Sequence, residues 1–378
     1  MISKENLALR EAAKSFSMQT AQPFMQALPD TREGLAEIFA LLREHGWIGL
    51  LCSEEYGGRG YSYLQGALVY EALAYGDPLI GTISQMHDTN AAFLQTLGRA
   101  DLADRIGAMA RGERIVGFAF TEASAGSDPS GNTGIAKLRE DGYHITAEKL
   151  WVTHASIAED FLVFTNKEEG KGMYMFLLDR DTPGMTIEPM DDVMYGNVLG
   201  LSKVTFKDCV VPESCLLSDQ GHRLAYFGID TARVFVPAVA IGLAQRALDE
   251  TVSFLRGRES MGSALLDKES LQFELATLDA KIEAARQLLY TAAEKLDARD
   301  EDYSLFAAKN KLLGPAVAQE AAGLCVQLHG GTGLFRDGYP ARALMASKML
   351  SIMDGSSEIQ QFIIGRTLRK NGGVPEKK

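Results

Sequence analysis

Four short stretches of the 378-residue chain carry side chains whose types and spacing could do chemistry. The first, Ala119-Phe-Thr-Glu-Ala-Ser-Ala-Gly-Ser-Asp128, follows an apolar strand-like run and opens into a glycine-containing loop. Its small residues let a backbone approach a ligand closely, and Thr121 and Ser127 offer hydroxyls. A polar connection with an Asx-type turn at Asp128 fits the same residues equally well. The second, Lys149-Leu-Trp-Val-Thr153, sets Trp151 and Thr153 two residues apart, which on a strand puts both on one face. A flat aromatic ligand could lie against such a face; a core tryptophan beside a β-favouring threonine is the plainer alternative. The third, Gln327-Leu-His-Gly-Gly-Thr-Gly333, lacks the spacing of a dinucleotide fold or a P-loop and reads alone as a helix stop. In the fourth, Met353-Asp-Gly-Ser-Ser-Glu-Ile-Gln360, Ser357 and Gln360 have the spacing of a capping box, so a helix should begin there. A carboxylate at Asp354 would gain from the helix dipole, or Asp354 is only a loop residue near a cap.

The elements that must position these residues change character along the chain. The first 115 or so residues read as helices broken by glycine. Leu35, Ile38, Phe39 and Leu42 give one apolar helical face ending near Gly46, and helix resumes over Tyr63 to Tyr75 and Ala91 to Ala110. From Ile115 to Leu217 the period is two: Tyr143, Ile145 and Ala147 alternate with polar neighbours, and Phe161–Phe164 and Tyr174–Leu178 are short apolar runs between turns. After Arg223 helical periodicity returns, with Leu271, Leu275, Leu278, Ile282, Ala285 and Leu289 on one face, as in an antiparallel bundle. The expected fold is α+β and multi-domain: a helical domain over 1–115, a β domain over 116–220, a helical bundle over 221–370 and a solvated tail over 371–378.

Composition narrows the function classes. With 38 basic against 50 acidic residues the net charge is -12, the wrong sign for binding a phosphate backbone, so nucleic acid is not an expected partner. Cys52, Cys209, Cys215 and Cys325 form no C-x-x-C and lie at no zinc-ligand spacing from histidine, so reduced thiols and no metal are expected. The charged N-terminus lacks the apolar stretch of a signal peptide. The longest apolar run, Val234 to Ala244, falls short of the ~20 residues of a membrane span. The expected location is the cytoplasm.

Taken together and in order, the four stretches resemble the acyl-CoA dehydrogenase family. They look like its T-E-x-x-A-G-S-D, W-[IV]-T, Q-x-x-G-G-x-G and E-G-T-S-E-I-Q segments, the last with two changes. Ile229-Asp-Thr-Ala-Arg233, Gly242-Leu-Ala-Gln-Arg-Ala-Leu248 and Arg258 followed by Gly262 extend the likeness over nearly the whole chain. The resemblance implies an N-terminal helical domain, a middle β-barrel, a C-terminal four-helix bundle and FAD as cofactor. It implies that Phe118, Phe120, Thr121 and Ser127 line the flavin or the thioester arm of the substrate, and that Trp151 and Thr153 pack against and hydrogen-bond the isoalloxazine. Ser356 and Glu358 would contact FAD. Arg258, Gln327, Gly330 and Gly331 would reach the FAD of a neighbouring subunit, which implies a homodimer or homotetramer. Asp230 and Arg233 match residues at the substrate entrance. The implied reaction is α,β-desaturation of an acyl thioester on CoA or acyl carrier protein: Asp354 removes the α-proton and the β-hydrogen leaves as hydride to flavin N5, with electrons passed to an electron-transfer flavoprotein or to oxygen.

The chain departs from the family pattern at several positions. Asp354 replaces the usual Glu and is one methylene shorter, a reach lost of about 1.5 Å. Met345 and Ala346 replace an Arg-Asp pair, Glu269 a Gln and Met261 a Phe. These changes point to a specialised member, such as one oxidising a hydroxy- or amino-acyl group on a carrier protein in secondary metabolism. Alternatives are a nitroalkane-oxidase-like or other oxygen-using flavoenzyme, and a non-catalytic flavin- or partner-binding paralogue.

Overall fold

The computed structural model describes residues 2–370; the tail expected over 371–378 lies outside the described residues. Six helices come first: α1 (Lys4–Phe16), α2 (Gln22–Ala27), α3 (Leu35–Glu44), α4 (Tyr63–Gly76), α5 (Pro78–Gln95) and α6 (Ala103–Ala110). Local chemistry fixes their ends. The Ser3 hydroxyl accepts from the Asn6 N–H, and Ser62 with Gln65 forms a complete capping box at the start of α4. The helix expected over Ala91 to Ala110 is two: α5 begins earlier, at Pro78, and stops at Gln95, and Gly98 turns the chain at φ 62° before α6.

Eight strands follow: β1 (Val116–Ala119), β2 (Ile135–Arg139), β3 (Gly142–Val152), β4 (Asp160–Lys167), β5 (Met173–Asp179), β6 (Met185–Pro189), β7 (Ser202–Val211) and β8 (Leu216–Ser218). Tyr143, Ile145 and Ala147 are buried on β3, as the alternation requires, and Phe161–Phe164 of β4 are buried throughout. The strands form one sheet in the order β6-β7-β3-β2-β4-β5-β8, with β1 parallel to β4. No pairing joins β6 to β8, so the middle domain is an open sheet and not the closed barrel expected. The edge strand β8 is only three residues long and pairs with β5 across a register shift, too little ladder to close the sheet.

The remaining described residues hold α7 (Gly221–Gly257), the short hairpin β9 (Glu259–Ser260) and β10 (Ser263–Ala264), then α8 (Glu269–Asp297), α9 (Tyr303–His329), α10 (Tyr339–Ile352) and α11 (Ser357–Lys370). The predicted face of α8 is buried from Leu275 to Leu289, while Leu271 is half-buried. Helix α7 is long and apolar enough to cross a membrane, but 89% of its apolar window is buried inside the protein, so it is a core helix.

The chain packs as two compact units. Of the described residues, one comprises 2–27, 62–85 and 230–370, the other 28–61 and 86–229. In the first, α4 meets α7 so closely that a Cβ on Gly242 would strike the Glu71 carbonyl, and the Glu71 carboxylate accepts from Arg286 at 2.7 Å and Tyr290 at 2.7 Å of α8. The second unit is built on the sheet, with α3 and α6 contributing Leu35, Ile38, Phe39, Leu42, Ile106 and Met109 to its core.

Candidate active site

In the sheet unit, β1 delivers the chain into the loop that carries Thr121 and Ser127. The Leu150 N–H of β3 donates to the Thr121 carbonyl at 2.8 Å, which ties the loop to the strand of Trp151. A buried ion pair reinforces the tie: Lys149 Nζ lies 2.7 Å from Glu122 Oε1 and donates to the Phe120 carbonyl at 3.2 Å. Glu122 also accepts from the Thr133 N–H at 2.6 Å and the Gly134 N–H at 3.0 Å, so its carboxylate is saturated. Burial alone would raise the Glu122 carboxyl, but Lys149 and Thr133 outweigh it and hold it below its ordinary value. The Asx turn at Asp128 is present, its carboxylate accepting from the Ser130 N–H at 3.0 Å. Thr121 is half-buried and Ser127 exposed, while Phe118 and Phe120 join Phe164 in an aromatic cluster.

Trp151 is not a core residue: it is 52% exposed. Its φ of 59° and the shift of register between Lys149 and Val152 swing the indole out of the strand's alternation, and Thr153 lies beyond the strand end, half-buried. The simple two-residue rule therefore does not describe how Trp151 and Thr153 are placed. Non-glycine residues in this conformation are uncommon and persist where the surrounding structure holds them. An exposed aromatic face with hydroxyls carried on the tied loop suits a flat heteroaromatic ring that offers both a π-face and polar edges, so the residues fit a flavin.

The helical unit presents the second set of residues. Asp230 and Arg233, one turn apart on α7, are buried and paired at 2.7 Å, and the Ser304 hydroxyl of α9 donates to the other Asp230 oxygen at 2.6 Å. Arg233 Nε donates to the Asp354 carbonyl at 3.1 Å. Asp354 and Gly355 occupy the turn between α10 and α11 with φ of 53° and 96°. At a φ of 96° Gly355 adopts a conformation that strains any other residue, and a Cβ there would also press on Gln360 Nε2 at 2.8 Å and an Arg233 guanidinium nitrogen at 3.0 Å. Helix α11 begins at Ser357 as expected, but the capping box does not form: Gln360 Nε2 donates to the Gly355 carbonyl at 3.0 Å instead. Asp354 Oδ2 is buried, with no hydrogen-bond partner among the described residues. Burial pushes the Asp354 carboxyl above its ordinary value, against the lowering pull of Lys311 and then Arg233. A carboxylate so placed is a stronger base than one in water and has a free lone pair to accept a proton.

The other expected residues lie on the surface of this unit. Arg258, Gln327, Gly330 and Gly331 are exposed. Helix α9 stops at His329, but Gly330, with φ 59° and ψ -140°, is not a left-handed cap and leads into a 3-10 turn over Gly330–Leu334. Ser356 is half-buried, and Glu358 is exposed, its carboxyl held below its ordinary value by the Ser356 hydroxyl. Ala346 is fully buried, where the carboxylate of the usual Asp would need a partner, and Glu269 sits in the first turn of α8, where the helix dipole favours it.

Three residues of these arrangements had no assigned role in the sequence reading: Glu122, Lys149 and Lys311. The first two stand inside the recognised stretches. Lys311 is fully buried, and the sequence, with Lys309 two residues before it and the apolar run Leu312-Leu-Gly-Pro-Ala-Val317 after it, does not single it out.

Comparison with known proteins covers the whole fold. Family models for the N-terminal, middle and C-terminal domains of acyl-CoA dehydrogenase match residues 3–113, 117–209 and 219–369. A probable acyl-CoA dehydrogenase of Bacillus subtilis is 30% identical over 98% of this chain and 99% of its own. Among solved structures, butyryl-CoA dehydrogenase from Megasphaera elsdenii is 27% identical, with a TM-score of 0.89 over 98% of this chain and 99% of that one. A prolyl acyl carrier protein oxidase shares the fold at 21% identity, with a TM-score of 0.88 over 97% of this chain and 100% of that one.

Proposed function

The chain belongs to the acyl-CoA dehydrogenase family, FAD-dependent oxidoreductases of acyl thioesters, and on that footing we propose that it oxidises a short polar acyl thioester with Asp354 as the base. One observation carries the proposal: the Asp354 carboxylate oxygen that is buried, unpartnered and raised in basicity, on a turn held by buried cations. In this reading the α C–H bond breaks, the proton passes to Asp354, and the electron pair enters the enolate-like thioester. FAD, when bound, supplies the acceptor for the β-hydrogen and its two electrons. Thr121, Ser127, Trp151 and Thr153 would hold and orient the flavin and Phe118 and Phe120 would help line it, while Ser356 and Glu358 would contribute further contacts. Asp230 fixes the guanidinium of Arg233, which in turn holds the base-bearing turn. Arg258, Gln327, Gly330 and Gly331 serve the FAD of a second copy, and their exposure is compatible with that role.

The shorter base supports a substrate that sits closer to the turn than an ordinary fatty acyl chain. Misplacement of a base on the order of 1 Å can cost about 100-fold. A hydroxy- or amino-acyl group on a carrier protein is the substrate class this favours, and a CoA thioester is the competing carrier. The test is anaerobic mixing of the yellow protein with butyryl-CoA, longer acyl-CoA thioesters, and hydroxyacyl and aminoacyl carrier-protein thioesters. Bleaching by a carrier-protein thioester supports the reading, bleaching by acyl-CoA alone assigns the CoA substrate, and a protein that binds no FAD contradicts both. Aerobic turnover with peroxide release would identify oxygen as the acceptor in place of an electron-transfer flavoprotein.

A further inference from the structure

Burying a lysine ammonium is costly unless it is paired, and Lys311, on α9, is fully buried. Among the described residues its ammonium meets no carboxylate at hydrogen-bond distance; it donates to the Gly355 carbonyl at 3.3 Å, immediately after the proposed base. The preceding carbonyl, that of Asp354, accepts from Arg233 Nε. Two buried cations from two different helices thus grip two consecutive carbonyls of one turn. Both residues of that turn have positive φ, which for Asp354 is a conformation that persists only where its surroundings hold it. Arg233 already has Asp230 as its counter-ion. Lys311 has no carboxylate of its own except, at longer range, Asp354.

We propose that Lys311 is a positioning residue for Asp354: it fixes the turn that presents the carboxylate, and it supplies the buried positive charge opposite which that carboxylate ionises. The proposal rests on Asp354 being the base. The charged groups around Asp354 are few. Helix α7 offers Arg233 and Asp230, the latter bonded to Arg233 and Ser304; α9 offers Lys311; α11 offers the neutral Gln360, with Glu358 exposed and bonded to Ser356. Burial pushes the Lys311 ammonium down to about 8, Asp354 opposing and Arg233 adding, so Lys311 is charged at neutral pH. Burial raises Asp354, and Lys311 is the larger of the two cations that limit the rise. Without Lys311 the carboxyl would stay protonated to higher pH, so that less of it is ionised as a base at any given pH.

The test is a carboxyl titration followed by NMR in holoenzyme labelled with 13C-aspartate, the Asp354 resonance being the one absent from Asp354→Asn. In Lys311→Met the midpoint is expected to rise by about one pH unit or more. Lys311→Gln, which keeps a donor for the Gly355 carbonyl and removes the charge, should show the same rise, and Lys311→Arg should restore the wild-type midpoint. The pH profile of anaerobic flavin reduction by the thioester that bleaches wild-type protein should be displaced upward in Lys311→Gln by the same amount as the titration midpoint, so that the rate is lost on the acidic side and recovers as the pH is raised. A midpoint unmoved in folded, FAD-containing Lys311→Gln overturns the proposal even if the rate falls. Wild-type flavin reduction by Asp354→Asn would instead remove the base on which the proposal rests.

Discussion

At the scale of single residues, the question is what an aspartate does where the family pattern leads one to expect a glutamate. Asp354 stands on a turn whose two positive φ angles, glycine at 355 and buried cations leave little room to slide toward a distant substrate. Restoring length should therefore misplace the base: Asp354→Glu is expected to slow flavin reduction by the native substrate about 100-fold while leaving FAD content unchanged, as stopped-flow absorbance would show. A faster Asp354→Glu enzyme would mean that the pocket is built for the longer side chain. Asp354 and Arg233 could be picked out in the sequence because each sits in a stretch with recognisable neighbours. Lys311 could not, since a lysine letter says nothing of burial. Trp151 was legible as a residue but not as a placement, because one register shift and one left-handed backbone angle reverse the side that alternation assigns.

At the scale of elements, the loop that carries Thr121 and Ser127 is tied down by the pair Glu122–Lys149. Breaking a buried pair by removing one partner typically costs about 3–5 kcal/mol. Lys149→Met is thus expected to destabilise the sheet unit by that order in denaturant unfolding and to weaken FAD retention on gel filtration; unchanged unfolding would show the pair to be dispensable. The same unit contains His87 and His154, both buried, with the Phe39 ring edge-on to each at centroid distances of 5.3 and 5.2 Å. Burial pushes His87 down to about 4 and, with His87 nearby, His154 to about 3. In the unfolded chain both would protonate near 6.5, so the unfolded state binds more protons between 6.5 and these lower values. Stability should be full above pH 6.5 and fall below it by up to about 1.4 kcal/mol per pH unit for each histidine. Urea unfolding at pH 7 and pH 5 checks this, and a flat profile would contradict it. Strands and helices were readable from periodicity where burial is one-sided, as on β3 and α8. The break between α5 and α6 was missed because apolar residues run on through Leu97, and only Gly98 marks the turn.

At the scale of the molecule, the helical unit leaves Met261, Phe273, Leu334, Phe335 and Phe362 exposed, at 96, 66, 73, 70 and 60%. Exposed side chains of this size are candidates for contact with a second copy of the chain, which the proposed function requires. Phe335→Asp combined with Phe362→Asp should shift the sedimentation coefficient toward that of a single protomer; a wild-type protein that already sediments as a protomer would contradict the assembly. The order helices, strands, helices was legible from the change of period. The open sheet was not, because closure depends on whether two distant edge strands meet, and no local pattern encodes that. The central claim, that Asp354 takes the α-proton, is tested most directly by anaerobic flavin bleaching in Asp354→Asn with the thioester that bleaches wild-type protein. The account predicts normal FAD content and a bleaching rate lower by about 10²–10⁴-fold, and a rate equal to wild type would show that another group is the base.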